Sequence, residues 1–183
     1  MAKLILGLAG EIASGKGTVA KYIVDKYEAD FFRFSDMLTD VLNRLFLEQK
    51  RENFTKLSVA LRQAFGQDML ANVMREDAEH SKKEIVVIDG ARRLDDIRYL
   101  RGLPHFKFIY IDASMETRYE RIIKRGEHSD DKQKTFEEFK KDHQLETELQ
   151  IKDLKNHADF VIDNDEGPEK MYAQVDSIIK SLL

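Results

Sequence analysis

Residues 10–18 read Gly-Glu-Ile-Ala-Ser-Gly-Lys-Gly-Thr, which places three glycines, one lysine and two hydroxyls in one short run. Glycines let the main chain curl so that successive N–H groups converge on one point, and such a nest binds anions. The segment that follows carries Val19, Ala20, Ile23 and Val24 at helical spacing and predicts a helix over 17–27. Its N-terminus adds unpaired N–H donors and partial positive charge to the same place. A lysine at this point of such a loop reaches the β- and γ-phosphates of a nucleoside triphosphate. The expected nucleotide contacts are therefore Gly10, Ala13, Ser14, Gly15, Lys16, Gly17 and Thr18. The usual pattern puts Ser or Thr directly after the lysine. Gly17 stands there instead, so the hydroxyl expected to meet Mg2+ is that of Thr18.

A second group follows the apolar run 85–88, which ends in Asp89-Gly90-Ala91-Arg92-Arg93. An aspartate at the tip of a strand beside a phosphate loop orients Mg2+, often through water, and Asp89 is the candidate. Aspartate is also common after a strand on turn chemistry alone, so the capping alternative stands beside that role. Asp36 lies just past the apolar run 30–34. It suits either a general base or metal ligand, or the cap of the next helix. Arg62 is a candidate ligand for an anionic acceptor. Arg118, Arg121 and Arg125 recur at spacings that align them on one helix face. Phosphoryl transfer spreads negative charge over the moving oxygens, so cations closing over it lower the barrier. Arg121 and Arg125 are the choices for that role, with a solvated face paired to Glu116 and Glu120 as the alternative. His128, Asp130 and Asp131 read as part of a polar loop rather than a metal cluster.

The elements that must position these groups alternate. Strands are expected at 3–8, 30–34, 85–88, 106–111 and 160–162. Helices are expected at 17–27, 37–46, 55–65, 67–79, 115–125, 135–156 and 169–183. Continuous apolar strands alternating with helices imply βαβ units and a parallel sheet covered on both faces. The expected fold is a three-layer α/β/α P-loop NTPase with a five-stranded parallel sheet, in one domain over 1–183. It carries a helical acceptor-binding insert at 35–81 and a lid at 126–150.

The Gly15-Lys16-Gly17-Thr18 ending resembles the phosphate loop of adenylate kinase and the other nucleoside monophosphate kinases. Phe34-Ser35-Asp36-Met37-Leu38 resembles the acceptor-side segment of that family, although its glycine is missing and Thr39 replaces an arginine. The run from Ala158 to Asn164 is similar to the last strand of dephospho-coenzyme A kinase, and phage deoxynucleotide kinases share the general plan. The resemblance implies a kinase using ATP and Mg2+, with Lys16, Asp36, Arg92, Arg121 and Arg125 in catalysis. It implies that Arg92, then Arg93, grips an acceptor phosphate beside Asp36 and Arg62, and that Asn164 borders the base pocket. The implied acceptor is a nucleoside or deoxynucleoside monophosphate. The alternatives are a hydroxyl acceptor, as in dephospho-coenzyme A kinase, and a nucleotide-dependent ATPase switch.

Composition narrows the classes. The 183 residues are 42% hydrophobic and 35% charged, with a net charge of −4. A general nucleic-acid binder is not expected at that charge, and partners should be small nucleotide substrates. With no cysteine, disulfides, thiolate zinc sites and cysteine nucleophiles are excluded. The early apolar run is too short to span a bilayer and lacks the layout of a signal peptide, so a cytoplasmic protein is expected. Oligomeric state is not legible.

Overall fold

The computed structural model describes residues 2–125, 134–144 and 146–183, with the side chains of Arg125, Glu146 and Thr147 excepted. The five apolar runs form strands: β1 (Leu4–Ala9), β2 (Asp30–Arg33), β3 (Ile85–Asp89), β4 (Phe106–Asp112) and β5 (Phe160–Asp163). They pair in parallel in the order β2-β3-β1-β4-β5. Leu4 lies opposite Ile85, and the register runs to Leu8 opposite Asp89. That register brings the end of β1, where the phosphate loop starts, level with the aspartate.

Alternation along the central strands divides the core into two layers. Leu4, Leu6, Leu8, Val87, Ile109 and Ile111 pack with Val19 and Ile23 of α1 (Lys16–Tyr27) and with Val175 and Ile179 of α9 (Pro168–Leu182). Ile5, Val86, Ile88, Phe108 and Tyr110 face the other way. There they meet Leu38 of α2 (Phe34–Arg44), Met74 of α4 (Met69–His80) and Ile97 of α5 (Leu94–Leu100). Between α2 and α4, α3 (Arg51–Phe65) has no fully buried residue. Its Phe54, Leu57 and Leu61 are half-covered against the second layer. The result is the expected three-layer α/β/α sandwich. Strands β3 and β4, consecutive in the chain, lie on opposite sides of β1, so the carboxyl end of β1 opens into the crevice where open parallel sheets bind ligands.

Several elements differ from expectation, among them α3, which begins at Arg51 rather than at residue 55. Helix α2 begins at Phe34 rather than Met37, because the Asp36 carboxylate accepts the Arg33 N–H at 3.0 Å and ties down the first turn. Helix α5 was not anticipated; it is short, and Ile97 and Leu100 alone supply its buried apolar face together with the acid Asp96. The polar stretch expected as one helix over 135–156 is broken into α7 (Phe136–Asp142), α8 (Glu146–Asp153) and a 3-10 turn at Leu154–His157. Thr135 caps α7 by accepting from the Glu138 N–H, and Glu138 in turn accepts from the Thr135 N–H. Helix α6 (Met115–Arg125) agrees with expectation. Gly126, His128, Asp130 and Asp131 lie outside the described residues, as does the first part of the expected lid.

Candidate nucleotide and acceptor site

After Ala9 the chain turns at Gly10, where a Cβ would lie 2.5 Å from the Ile111 carbonyl oxygen and from Ser14 Oγ. No other residue fits that crossing. Ala13 (φ 61) and Gly15 (φ 99) take left-handed conformations and complete the curl. Gly15 is also the N-cap of α1, and no side chain caps that helix. Apart from that of Thr18, which bonds the Gly15 carbonyl, its first N–H groups are thus left for a ligand. The buried Ser14 hydroxyl has no hydrogen-bond partner among the described residues.

Lys16 Nζ contacts Asp89 Oδ1 at 2.5 Å, and Arg33 Nε lies 3.4 Å from Asp89 Oδ2. Asp89 is 3% exposed, whereas Lys16 is half-buried. The aspartate expected to orient a metal therefore stands directly against the loop lysine. Arg33, which the sequence reading did not single out, adds a second cation. Thr18 is exposed on the first turn of α1, its N–H bonded to the Gly15 carbonyl at 2.9 Å.

The opposite flank of the loop is built by β5 and α6. The Asn164 amide donates to the Ser14 carbonyl at 2.7 Å. Arg121 donates to the Asn164 carbonyl at 2.6 Å and to the Ser14 and Ala13 carbonyls at 3.3 and 3.4 Å. Arg121, expected to cover the transferred phosphoryl group, is held here by main-chain oxygens of the loop and of the segment after β5. Arg125 ends α6, and its side chain lies outside the described residues. Arg118 is also committed: it meets Glu11 Oε1 at 3.2 Å, the Ala113 carbonyl at 3.1 Å and His143 Nε2 at 2.6 Å.

On the other side of Asp89, the arginines expected at the acceptor separate into two kinds. Arg62 Nη2 lies 3.4 Å from Asp96 Oδ1, and Arg93 Nε lies 3.9 Å from the same oxygen. Arg62 also donates to Ser58 Oγ at 2.7 Å, and Arg93 to Gln67 Oε1 at 3.2 Å. Neither Arg62 Nε nor Arg93 Nε has a hydrogen-bond partner among the described residues. Burial, followed by the proximity of Arg93, lowers the proton affinity of the Arg62 guanidinium, and Asp96 opposes both effects. Arg92 is exposed and meets Asp96 through its main-chain N–H at 3.3 Å. The residue that gathers this cluster is Asp96, 3% exposed, which the sequence reading missed. The signal was present in an acidic pair, Asp95-Asp96, separated from the arginine pair Arg92-Arg93 by Leu94 alone. Asp36 is exposed and accepts the Arg33 N–H from the third position of α2, so it takes part in a capping box with Arg33 as the N-cap rather than capping the helix itself.

The model of a family described as AAA domain matches residues 9–140, which contain the loop, Asp89 and α6. The UPF0200 protein of Methanocaldococcus jannaschii is 30% identical over 182 residues, covering 98% of this chain and 91% of the relative. The chain belongs to the AAA domain family and to the UPF0200 proteins. This UPF0200 chain is also similar to solved structures. TT1252 from Thermus thermophilus superposes with a TM-score of 0.61 at 17% identity, covering 100% of both chains. Shikimate kinase from Bacteroides thetaiotaomicron gives 0.59 at 16% identity, covering 98% of each. The shared fold is that of P-loop kinases. Among the described residues, no helix is long and apolar enough to cross a membrane.

Proposed function

We propose that this chain is an ATP- and Mg2+-dependent kinase that transfers the γ-phosphoryl group to a small phosphorylated acceptor, a nucleoside or deoxynucleoside monophosphate. The observation carrying the reading is the pairing of two cationic sites on one sheet edge. The first is the curled loop with its uncapped helix and Lys16. The second is Arg62 and Arg93 sharing the single carboxylate of Asp96. Two guanidinium groups against one carboxylate leave one positive charge uncompensated. A phosphate on the acceptor balances it, and arginine forks suit phosphate oxygens.

Lys16 and the loop N–H groups hold the triphosphate, and Arg62 and Arg93 hold the acceptor's phosphate. The acceptor oxygen then attacks the γ-phosphorus as the bond to the bridging β–γ oxygen breaks. Such catalysis is positioning and charge neutralisation. Mg2+, when bound, neutralises charge on the phosphate oxygens, and Asp89 and Thr18 are the residues suited to hold it. Among the described residues no three acidic or histidine side chains converge. Two protein ligands completed by phosphate oxygens and water suit a hard ion that keeps part of its hydration shell.

The test is a phosphorylation screen with ATP over nucleoside monophosphates, deoxynucleoside monophosphates, dephospho-coenzyme A and shikimate, with the Arg93→Ala variant alongside. Transfer to a monophosphate, weakened in Arg93→Ala through a higher acceptor KM, is expected. ATP hydrolysis that proceeds equally without any acceptor would favour a nucleotide-dependent switch. Transfer confined to dephospho-coenzyme A would favour a hydroxyl acceptor.

A further inference from the structure

Glu11 is the only acidic residue in the phosphate loop. A carboxylate inside a cradle for a polyanion opposes the ligand unless its charge is cancelled. Its side chain is 10% exposed, and Arg118 Nη2 lies 3.2 Å from Oε1. Arg118 is 2% exposed and held on three further sides. Its Nε donates to the Ala113 carbonyl at 3.1 Å, its Nη1 donates to His143 Nε2 at 2.6 Å, and its guanidinium lies 5.8 Å from the centre of the Phe139 ring. His143 Nδ1 lies 2.7 Å from the Phe139 carbonyl. A carbonyl only accepts and a guanidinium only donates, so Nδ1 carries the proton, Nε2 is bare and the ring is neutral. The buried group therefore sums to zero, Arg118 against Glu11, with His143 orienting the guanidinium from α7.

We propose that Arg118 is a positioning residue for the nucleotide's phosphates, acting through Glu11: it cancels the loop's own negative charge and holds the carboxylate against α6. The proposal rests on the reading of the loop as a triphosphate cradle. It gives Arg118 a task different from that of Arg121, which binds main-chain carbonyls of the same loop.

The experiment is calorimetric titration of ATP into the wild-type chain, Arg118→Met, Glu11→Gln, the double variant and Arg118→Lys, with circular dichroism melts to report folding. Arg118→Met should weaken ATP binding by about tenfold or more, because it exposes the phosphates to an unpaired carboxylate. That deficit, as a ratio to wild type, should shrink as salt is raised. Adding Glu11→Gln should bring binding back to within about threefold of wild type, and Glu11→Gln alone should stay in that range. Should Arg118→Met fail to fold, Arg118→Lys decides. The retained charge should keep ATP binding within about threefold even though the Ala113 and His143 contacts are lost and the melting temperature falls. The proposal is overturned by a folded double variant as weak as Arg118→Met, by Arg118→Met binding like wild type, or by Arg118→Lys losing binding. A wild-type chain that binds no ATP overturns the nucleotide reading itself. Wild-type binding without rescue overturns the role of Arg118 alone.

Discussion

Asn164 and Ser14 are 150 positions apart in sequence, yet the Asn164 amide donates to the Ser14 carbonyl at 2.7 Å in a fully buried bond. This contact closes the phosphate loop against the last strand. It also explains the residue next to Ser14, since a Cβ at Gly15 would lie 2.1 Å from Asn164 Nδ2. Asn164→Ala leaves the Ser14 carbonyl only its longer bond from Arg121 at 3.3 Å and should destabilise the chain by about 0.5–1.5 kcal/mol in denaturant unfolding. It should raise the KM for ATP more than it lowers kcat. Gly15→Ala adds the strain of φ 99 to the clash. It should abolish ATP binding, and combining it with Asn164→Ala should relieve only the clash.

Arg62 and Arg93 should behave alike and Arg92 should not. Removing either of the first two takes away a charged hydrogen-bond donor worth about 1.5–3 kcal/mol, so the acceptor's KM should rise roughly tenfold to a hundredfold while ATP affinity is unchanged. Arg92→Ala should change both constants by less than about threefold. Steady-state kinetics with each substrate varied in turn separates the three variants.

Asp96 should matter more to the fold than to the reaction's affinity for ATP. Asp96→Asn leaves two largely covered guanidinium groups without their carboxylate, a change of about 3 kcal/mol by analogy with broken buried pairs. Denaturant unfolding should show that loss, and saturating acceptor should recover part of it through preferential binding to the folded chain.

A pH-dependent contribution should come from the far side of the sheet, where Asp176 accepts from Tyr22, Tyr27 and Lys26 at 2.9, 2.7 and 2.6 Å. The Lys26 hydrogen bond, with those of the tyrosines, holds the Asp176 carboxyl below its usual range. A depressed carboxylate contributes stability that is present above its unfolded pKa and is lost as pH falls through the folded value. Asp176→Asn should therefore cost about 1–2 kcal/mol at neutral pH and little once the wild-type carboxyl is protonated. Urea unfolding at the two pH values checks this. At the alkaline end, burial and the Asp176 contact push the Tyr27 hydroxyl up to about 12. Wild-type stability should thus fall as pH rises from the ordinary tyrosine value toward that point.

The strands and the phosphate loop were legible because each is a local pattern. Leu4–Ala9 is a continuous apolar run leading into Gly10, and the glycines and Lys16 follow at fixed offsets. The structure reproduces all five strands and the parallel sheet. What escaped depends on contacts between distant positions. Asp96 draws its meaning from Arg62, and Glu11 from Arg118. Helix α5 escaped because its seven residues are too few for a 3.6-residue period to stand out. The break between α7 and α8 escaped because the apolar residues of this stretch, Phe136, Phe139, Leu149, Ile151 and Leu154 among them, are too sparse to fix one helical phase from which to read a stop. Between Arg92 and Arg93, sequence alone favoured the first. The structure places Arg93 against Asp96 and Gln67 and leaves Arg92 exposed, contacts no single-position reading could supply.

The central claim, that the curled loop with its lysine holds a nucleoside triphosphate, is tested most directly by calorimetric titration of Mg·ATP into the wild-type chain and into Lys16→Ala. A saturable one-site isotherm in the wild type, absent from a folded Lys16→Ala, is the predicted result. No binding heat in the wild type, or the same isotherm in both proteins, would contradict the account.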